Sequence, residues 1–203
     1  MMKKAFKKET EAIMARAGHL FSRVPISPNA WTIISLLVAI LGFAALVLHE
    51  MLLGLILFLL AAALDAIDGA VARAARKVTK LGAYLDGMAD RFVEALLIFG
   101  LMSFGLPEFI IPGYAWLALL LFFGTCMTSY ARAYADHRKA LSKKEMEKMS
   151  GALERAERLL LIFAAMLAWF INPIYATYVI ALTSLLALIT VAQRVGFVVK
   201  CNL

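Results

Sequence analysis

Long apolar stretches, broken at short polar points, dominate the pattern along this chain. Residues 30–48, 51–75, 80–104, 114–136, 152–171 and 174–194 each approach the length a helix needs to cross about 30 Å of hydrocarbon. They predict six membrane-spanning helices. Ahead of them, Met2 to Phe21 set Phe6, Ile13, Ala17 and Leu20 at helical spacings among Lys3, Lys4, Lys7 and Lys8. That periodicity predicts an amphipathic helix in the interface, its lysines toward anionic headgroups. Ser27-Pro28-Asn29 then interrupts the chain. The expected fold is all-α and integral to the membrane: an N-terminal amphipathic interfacial (juxtamembrane) helix over residues 1–25, then one six-helix membrane domain over residues 26–200.

Composition agrees and narrows the function. Of 203 residues, 63% are hydrophobic and 17% charged, against about 25% charged in ordinary soluble domains. Cys126 sits in an apolar run and Cys201 near the end, so neither a disulfide framework nor a thiolate metal site is implied. The net charge of +7 has no soluble basic domain to carry it. It reads as membrane-surface charge, with no nucleic-acid partner. The basic start runs into a polar stretch and has no short apolar region before a cleavage site, so no removable signal is expected.

Lys and Arg orient the helices. They fall in the N-terminal segment, around residues 73–80, between 132 and 158, and at Arg194 and Lys200. The opposite connections, His49-Glu50, Leu106 to Pro112 and Asn172-Pro173, hold none. Basic residues favour the cytoplasmic side, so a multi-pass protein of the cell membrane is expected, with both termini and the active site cytoplasmic.

The second and third spans depart from the apolar rule. Asp65, Asp68, Gly69, Ala72 and Arg73 share one helical face, and Gly82, Asp86 and Asp90 share another. A short basic turn joins the two stretches and makes them antiparallel neighbours. Their four carboxylates are expected to converge, and carboxylates at membrane depth mark function by default. Together they repel one another and need cations. An all-oxygen donor set suits Mg²⁺, Mn²⁺ or Ca²⁺ rather than zinc, and a two-metal site would clamp a diphosphate. Arg73 offers a bidentate phosphate partner. Gly69, Ala72 and Gly82 leave space for a nucleotide, although small residues also serve helix packing.

The pattern Asp65-x2-Asp68-Gly69-x2-Ala72-Arg73-x8-Gly82-x3-Asp86-x3-Asp90 resembles the complete signature of the CDP-alcohol phosphatidyltransferase family. The resemblance implies displacement of CMP from a CDP-linked lipid by an alcohol, on a pair of Mg²⁺ or Mn²⁺ ions. It implies that Asp65, Asp68, Asp86 and Asp90 are metal ligands. Asp90 would also be the catalytic base. Gly69, Ala72, Arg73 and Gly82 would hold the CDP group with Thr79, and Pro28-Asn29-Ala30-Trp31 resembles the family's nucleotide-lining start. The resemblance also suggests a homodimer.

A second polar cluster bears on the acceptor. Arg132 ends the fourth span, Arg155 and Arg158 begin the fifth, and Arg194 ends the sixth. A pocket of arginines suits an acceptor carrying its own phosphate. The stretches Ser129-Tyr130-x-Arg132-Ala133 and Gly151-x2-Glu154-Arg155-x2-Arg158 resemble the phosphatidylinositol-phosphate and archaetidylinositol-phosphate synthase branch, which uses inositol 1-phosphate. Glycerol 3-phosphate is the competing acceptor. Glu154 and Glu157 are placed to pair with Arg158 and Arg155 on neighbouring turns. Residues 137–150 are expected to form a solvated surface helix or connector, with Met146 and Met149 free to dip into the membrane interface. An ion or proton transporter would need polar groups on through the apolar far halves of the spans. A prenyltransferase would need two separated aspartate motifs.

Overall fold

The computed structural model describes residues 28–74 and 79–203, with side chains placed for residues 30–67 and 79–203. The expected interfacial helix over residues 1–25 lies outside the described residues. The described structure is helical: α1 (Pro28–Val47), α2 (Met51–Ala74), α3 (Lys80–Phe104), α4 (Gly113–Leu119), a π-helical segment (Leu120–Met127), α5 (Thr128–His137), α6 (Lys143–Lys148), α7 (Arg155–Trp169) and α8 (Pro173–Asn202).

Among the described residues, three helices are long and apolar enough to cross a membrane, over Ala30–Val47, Gly113–His137 and Pro173–Asn202. Within α2 the described apolar stretch is Met51–Ile67, and α3 carries Asp86, Asp90, Arg91 and Glu94. The helix α7 has 15 residues, about 22 Å at 1.5 Å per residue. It starts at Arg155 rather than at 152, whereas α8 runs beyond 194 to Asn202.

The chain forms two compact units. Among the described residues, the first comprises 28–45, 52–74 and 79–97, the second 46–51 and 98–203. In the first, α1 and α2 pack through small residues. Ser35 Oγ donates to the Ala61 carbonyl at 2.9 Å, and Gly42 lies so close to the Phe58 ring that a Cβ there would sit 3.0 Å from two ring carbons. Such close approach is how helices associate in lipid, where apolar burial gives no drive. Ala39, Leu55, Phe58, Ala61 and Leu97 are buried in this unit.

In the second unit α8 is the central strut, packing on α7, on α4 and the π segment, and on α5. Asn172 caps its start, with Oδ1 accepting from the Ile174 N–H at 3.1 Å, and Pro173 occupies the first turn. Ser184 Oγ lies 2.8 Å from both the Trp116 and Ile180 carbonyls and ties α8 to α4. Met149 is buried with Ala135 and Leu141, and Met146, Phe197 and Val198 pack against them. The methionines expected at the membrane interface therefore close a small protein core.

Candidate metal and substrate site

The two acidic faces meet. One carboxylate oxygen from each of Asp65, Asp86 and Asp90 lies within 4.8 Å of the others, and all three residues are half-buried. Asp65 comes from α2 and the other two from successive turns of α3, so helical periodicity delivers them to one place. At an effective dielectric near 20, two charges this close repel by roughly 3 kcal/mol. Arg91 Nη1, 3.8 Å from Asp90 Oδ2, supplies one countercharge. The donor set is all oxygen, with no His or Cys among the clustered residues. It fits a hard divalent cation.

The remaining residues expected around the aspartates are placed unevenly. Asp68, Gly69, Ala72 and Arg73 lie on the helical backbone of α2, and Pro28 and Asn29 open α1, but their side chains lie outside the described set. Ala30 is half-buried and Trp31 buried. Gly82 is half-buried in the first turn of α3. Thr79 is exposed and caps that helix: its Oγ1 accepts from the Gly82 N–H at 2.9 Å, and its carbonyl accepts from the Ala83 N–H at 3.0 Å.

Two residues near the cluster are absent from the sequence-derived set. Arg91 faces Asp90, and Glu94 continues the row Asp86, Asp90, Glu94 while being wholly buried. The four-residue spacing was the available signal for Glu94.

The arginines expected to hold an acceptor phosphate belong to the second unit and differ in character. Arg132 is exposed, its Nη2 donating to the Met146 carbonyl at 3.3 Å. Arg155 is half-buried, while Arg158 is only 2% exposed. Arg194 is also buried; Nη1 donates to the Thr128 carbonyl at 2.6 Å and Nη2 to Glu154 Oε2 at 2.9 Å. Glu154, expected to pair along its own helix, thus reaches across to α8. Glu157 Oε2 accepts from the Glu154 N–H at 3.1 Å and closes the start of α7.

The chain is similar to known proteins over most of its length. The sequence pattern of the CDP-alcohol phosphatidyltransferase family matches residues 25–193. An archaetidylinositol phosphate synthase of Pyrococcus horikoshii is 34% identical over 182 residues, covering 90% of this chain and 88% of the relative. Its namesake in Methanothermobacter thermautotrophicus is 29% identical over 177 residues, covering 87% and 85%. The fold is similar to that of the Mycobacterium tuberculosis phosphatidylinositol phosphate synthase with CDP-DAG bound, with a TM-score of 0.76 at 22% identity over 92% of this chain and 94% of that one. The same enzyme has been solved with manganese and citrate; that structure gives a TM-score of 0.76 at 21% identity, covering 92% of this chain and 89% of that one.

Proposed function

The chain belongs to the CDP-alcohol phosphatidyltransferase family, and from that premise we propose that it transfers the lipid phosphoryl group of a CDP-linked lipid to inositol 1-phosphate, releasing CMP. The observation that carries this reading is the meeting of Asp65, Asp86 and Asp90 within 4.8 Å. The arginine-rich start of α7, and relatives named as archaetidylinositol phosphate synthases, support inositol 1-phosphate over glycerol 3-phosphate.

Asp65, Asp68, Asp86 and Asp90 are the proposed ligands of a divalent pair, Mg²⁺ or Mn²⁺. When bound, such ions neutralise the diphosphate of the donor and the charge on departing CMP. Asp90 accepts the proton of the acceptor hydroxyl as that oxygen bonds to the lipid-bearing phosphorus. The bond from that phosphorus to the bridging oxygen of CMP breaks, and CMP leaves with the electron pair. Gly69, Ala72, Arg73, Thr79 and Gly82, with Pro28, Asn29, Ala30 and Trp31, hold the CDP portion. Arg132, Arg155, Arg158 and Arg194 form the acceptor-phosphate subsite. The distribution of Lys and Arg supports six spans in the cell membrane, with both termini and the site cytoplasmic. A homodimer is the proposed assembly, testable by crosslinking in the membrane.

The test is CMP release from a CDP-linked lipid with Mg²⁺ or Mn²⁺, offering inositol 1-phosphate, glycerol 3-phosphate and serine in separate reactions. Inositol 1-phosphate is expected to give the highest kcat/KM, and a preference for serine would overturn the arginine subsite. Asp90→Asn is expected to cut kcat by about 10²-fold or more. Unchanged turnover would remove Asp90 as the base.

A further inference from the structure

The four residues before α7 make their N–H bonds to side chains. The Gly151 N–H donates to Glu154 Oε1 at 3.1 Å, the Ala152 N–H to Gln193 Oε1 at 2.7 Å and the Leu153 N–H to Thr190 Oγ1 at 2.9 Å. The Glu154 N–H goes to Glu157. Two of these acceptors, Thr190 and Gln193, stand on α8 one turn from each other, and Arg194 follows directly. Thr190 Oγ1 donates its own proton to the Leu186 carbonyl at 2.8 Å, which leaves its lone pairs for Leu153. Gly151 is pressed against the Thr190 methyl, where any added Cβ would overlap it.

Glu154 joins these contacts. Its Oε1 holds the loop backbone and its Oε2 holds Arg194, whose other terminal nitrogen is on the Thr128 carbonyl. One carboxylate therefore links the loop to α8, and through Arg194 to the start of α5. Arg155 and Arg158 begin immediately after it. The Glu154 carboxylate also closes a capping box with Glu157 at the start of α7, so it serves the helix start and the contact with α8 together.

We propose that Glu154, with Thr190 as its support, is a positioning residue for the acceptor subsite: it clasps segment 151–154 to α8 and so sets where Arg155 and Arg158 meet the acceptor's phosphate. This rests on the reading of those arginines as acceptor-binding. Preorganised charge spares the reaction the cost of ordering a loop for each acceptor that binds. Loss of the clasp acts on the acceptor, while the CDP-lipid site on α2 and α3 keeps its own residues.

Full-length protein in lipid nanodiscs, supplied with Mg²⁺, would be measured as wild type, Glu154→Ala, Glu154→Gln, Thr190→Val and Thr190→Ser. The readouts are separate KM values for inositol 1-phosphate and for CDP-lipid, and hydrogen exchange at amides 151–153. Glu154→Ala and Thr190→Val are expected to raise the acceptor KM about tenfold and to speed exchange comparably, with the CDP-lipid KM within about twofold. Glu154→Gln, which keeps an oxygen for Gly151 but loses the charge, should fall between. Thr190→Ser should restore both readouts. Faster exchange with an unchanged acceptor KM, or a parallel rise in both KM values, would overturn the positioning role. If wild type transfers to no phosphorylated polyol, the acceptor reading falls and this inference falls with it.

Discussion

Arg158 occupies the space that Gly124 leaves open: a Cβ on Gly124 would lie 2.9 Å from Arg158 Cδ and 3.4 Å from its Nε. Gly124 sits in the π-helical segment Leu120–Met127. Such segments commonly mark functional positions inside otherwise regular helices. Thr128 Oγ1 donates back to the Gly124 carbonyl and Ser129 Oγ to the Thr125 carbonyl at 2.8 Å, so side-chain hydroxyls support the backbone around the widened turn. A buried guanidinium and a missing side chain are thus one feature seen from two helices.

Gly124→Ala is expected to push the Arg158 side chain aside at a stability cost of about 1–3 kcal/mol, the ordinary range for overpacking. Because the displaced atoms belong to a proposed acceptor contact, the acceptor KM should rise several-fold while the CDP-lipid KM holds. Steady-state kinetics with each substrate varied in turn checks this. Equal effects on both substrates would mean the glycine serves packing alone.

The contact between α1 and α2 can be tested without touching the site. Ser35→Ala removes one interhelical hydrogen bond and should cost about 0.6 kcal/mol, the average for such bonds in a membrane protein. Gly42→Val drives a branched side chain toward the Phe58 ring and should cost more, about 1–3 kcal/mol. Thermal unfolding of both variants in the same detergent gives the order. Greater damage from Ser35→Ala would reverse the assignment of what holds the two helices.

Outside the apolar helices, Glu145 caps α6. Its carboxylate accepts from the Ser142 hydroxyl at 2.6 Å and the Ser142 N–H at 2.7 Å, and these bonds hold its pKa below the ordinary carboxylate value. A lowered folded-state pKa means the ionised form is favoured in the fold. Its contribution is therefore present at neutral pH and is lost as pH falls through and below the ordinary carboxylate range. Hydrogen-exchange protection of amides 142–146 should drop on acidification, and Ser142→Ala should abolish most of that dependence. A pH-independent protection in wild type would contradict the capping role.

Much of the site was legible from local rules. The apolar lengths identify helices, and the three-residue spacing of Asp65 and Asp68 and the four-residue spacing of Asp86 and Asp90 put each pair on a predictable face. A short connection makes the faces neighbours, so their meeting needs no knowledge of the rest of the chain. The same spacing extends to buried Glu94, which shows how far that rule reached and where it was not followed.

By itself, then, the sequence determined an all-helical membrane protein with convergent aspartates, because helical period and hydrophobic length are properties of nearby residues. Only the tertiary structure decided that Glu154 turns to Arg194, that Arg158 nests at Gly124, and that Met149 is buried against Ala135 and Leu141. Each of those outcomes depends on which distant helix supplies the nearest partner. In a chain rich in interchangeable apolar faces, packing selects that partner and periodicity cannot name it.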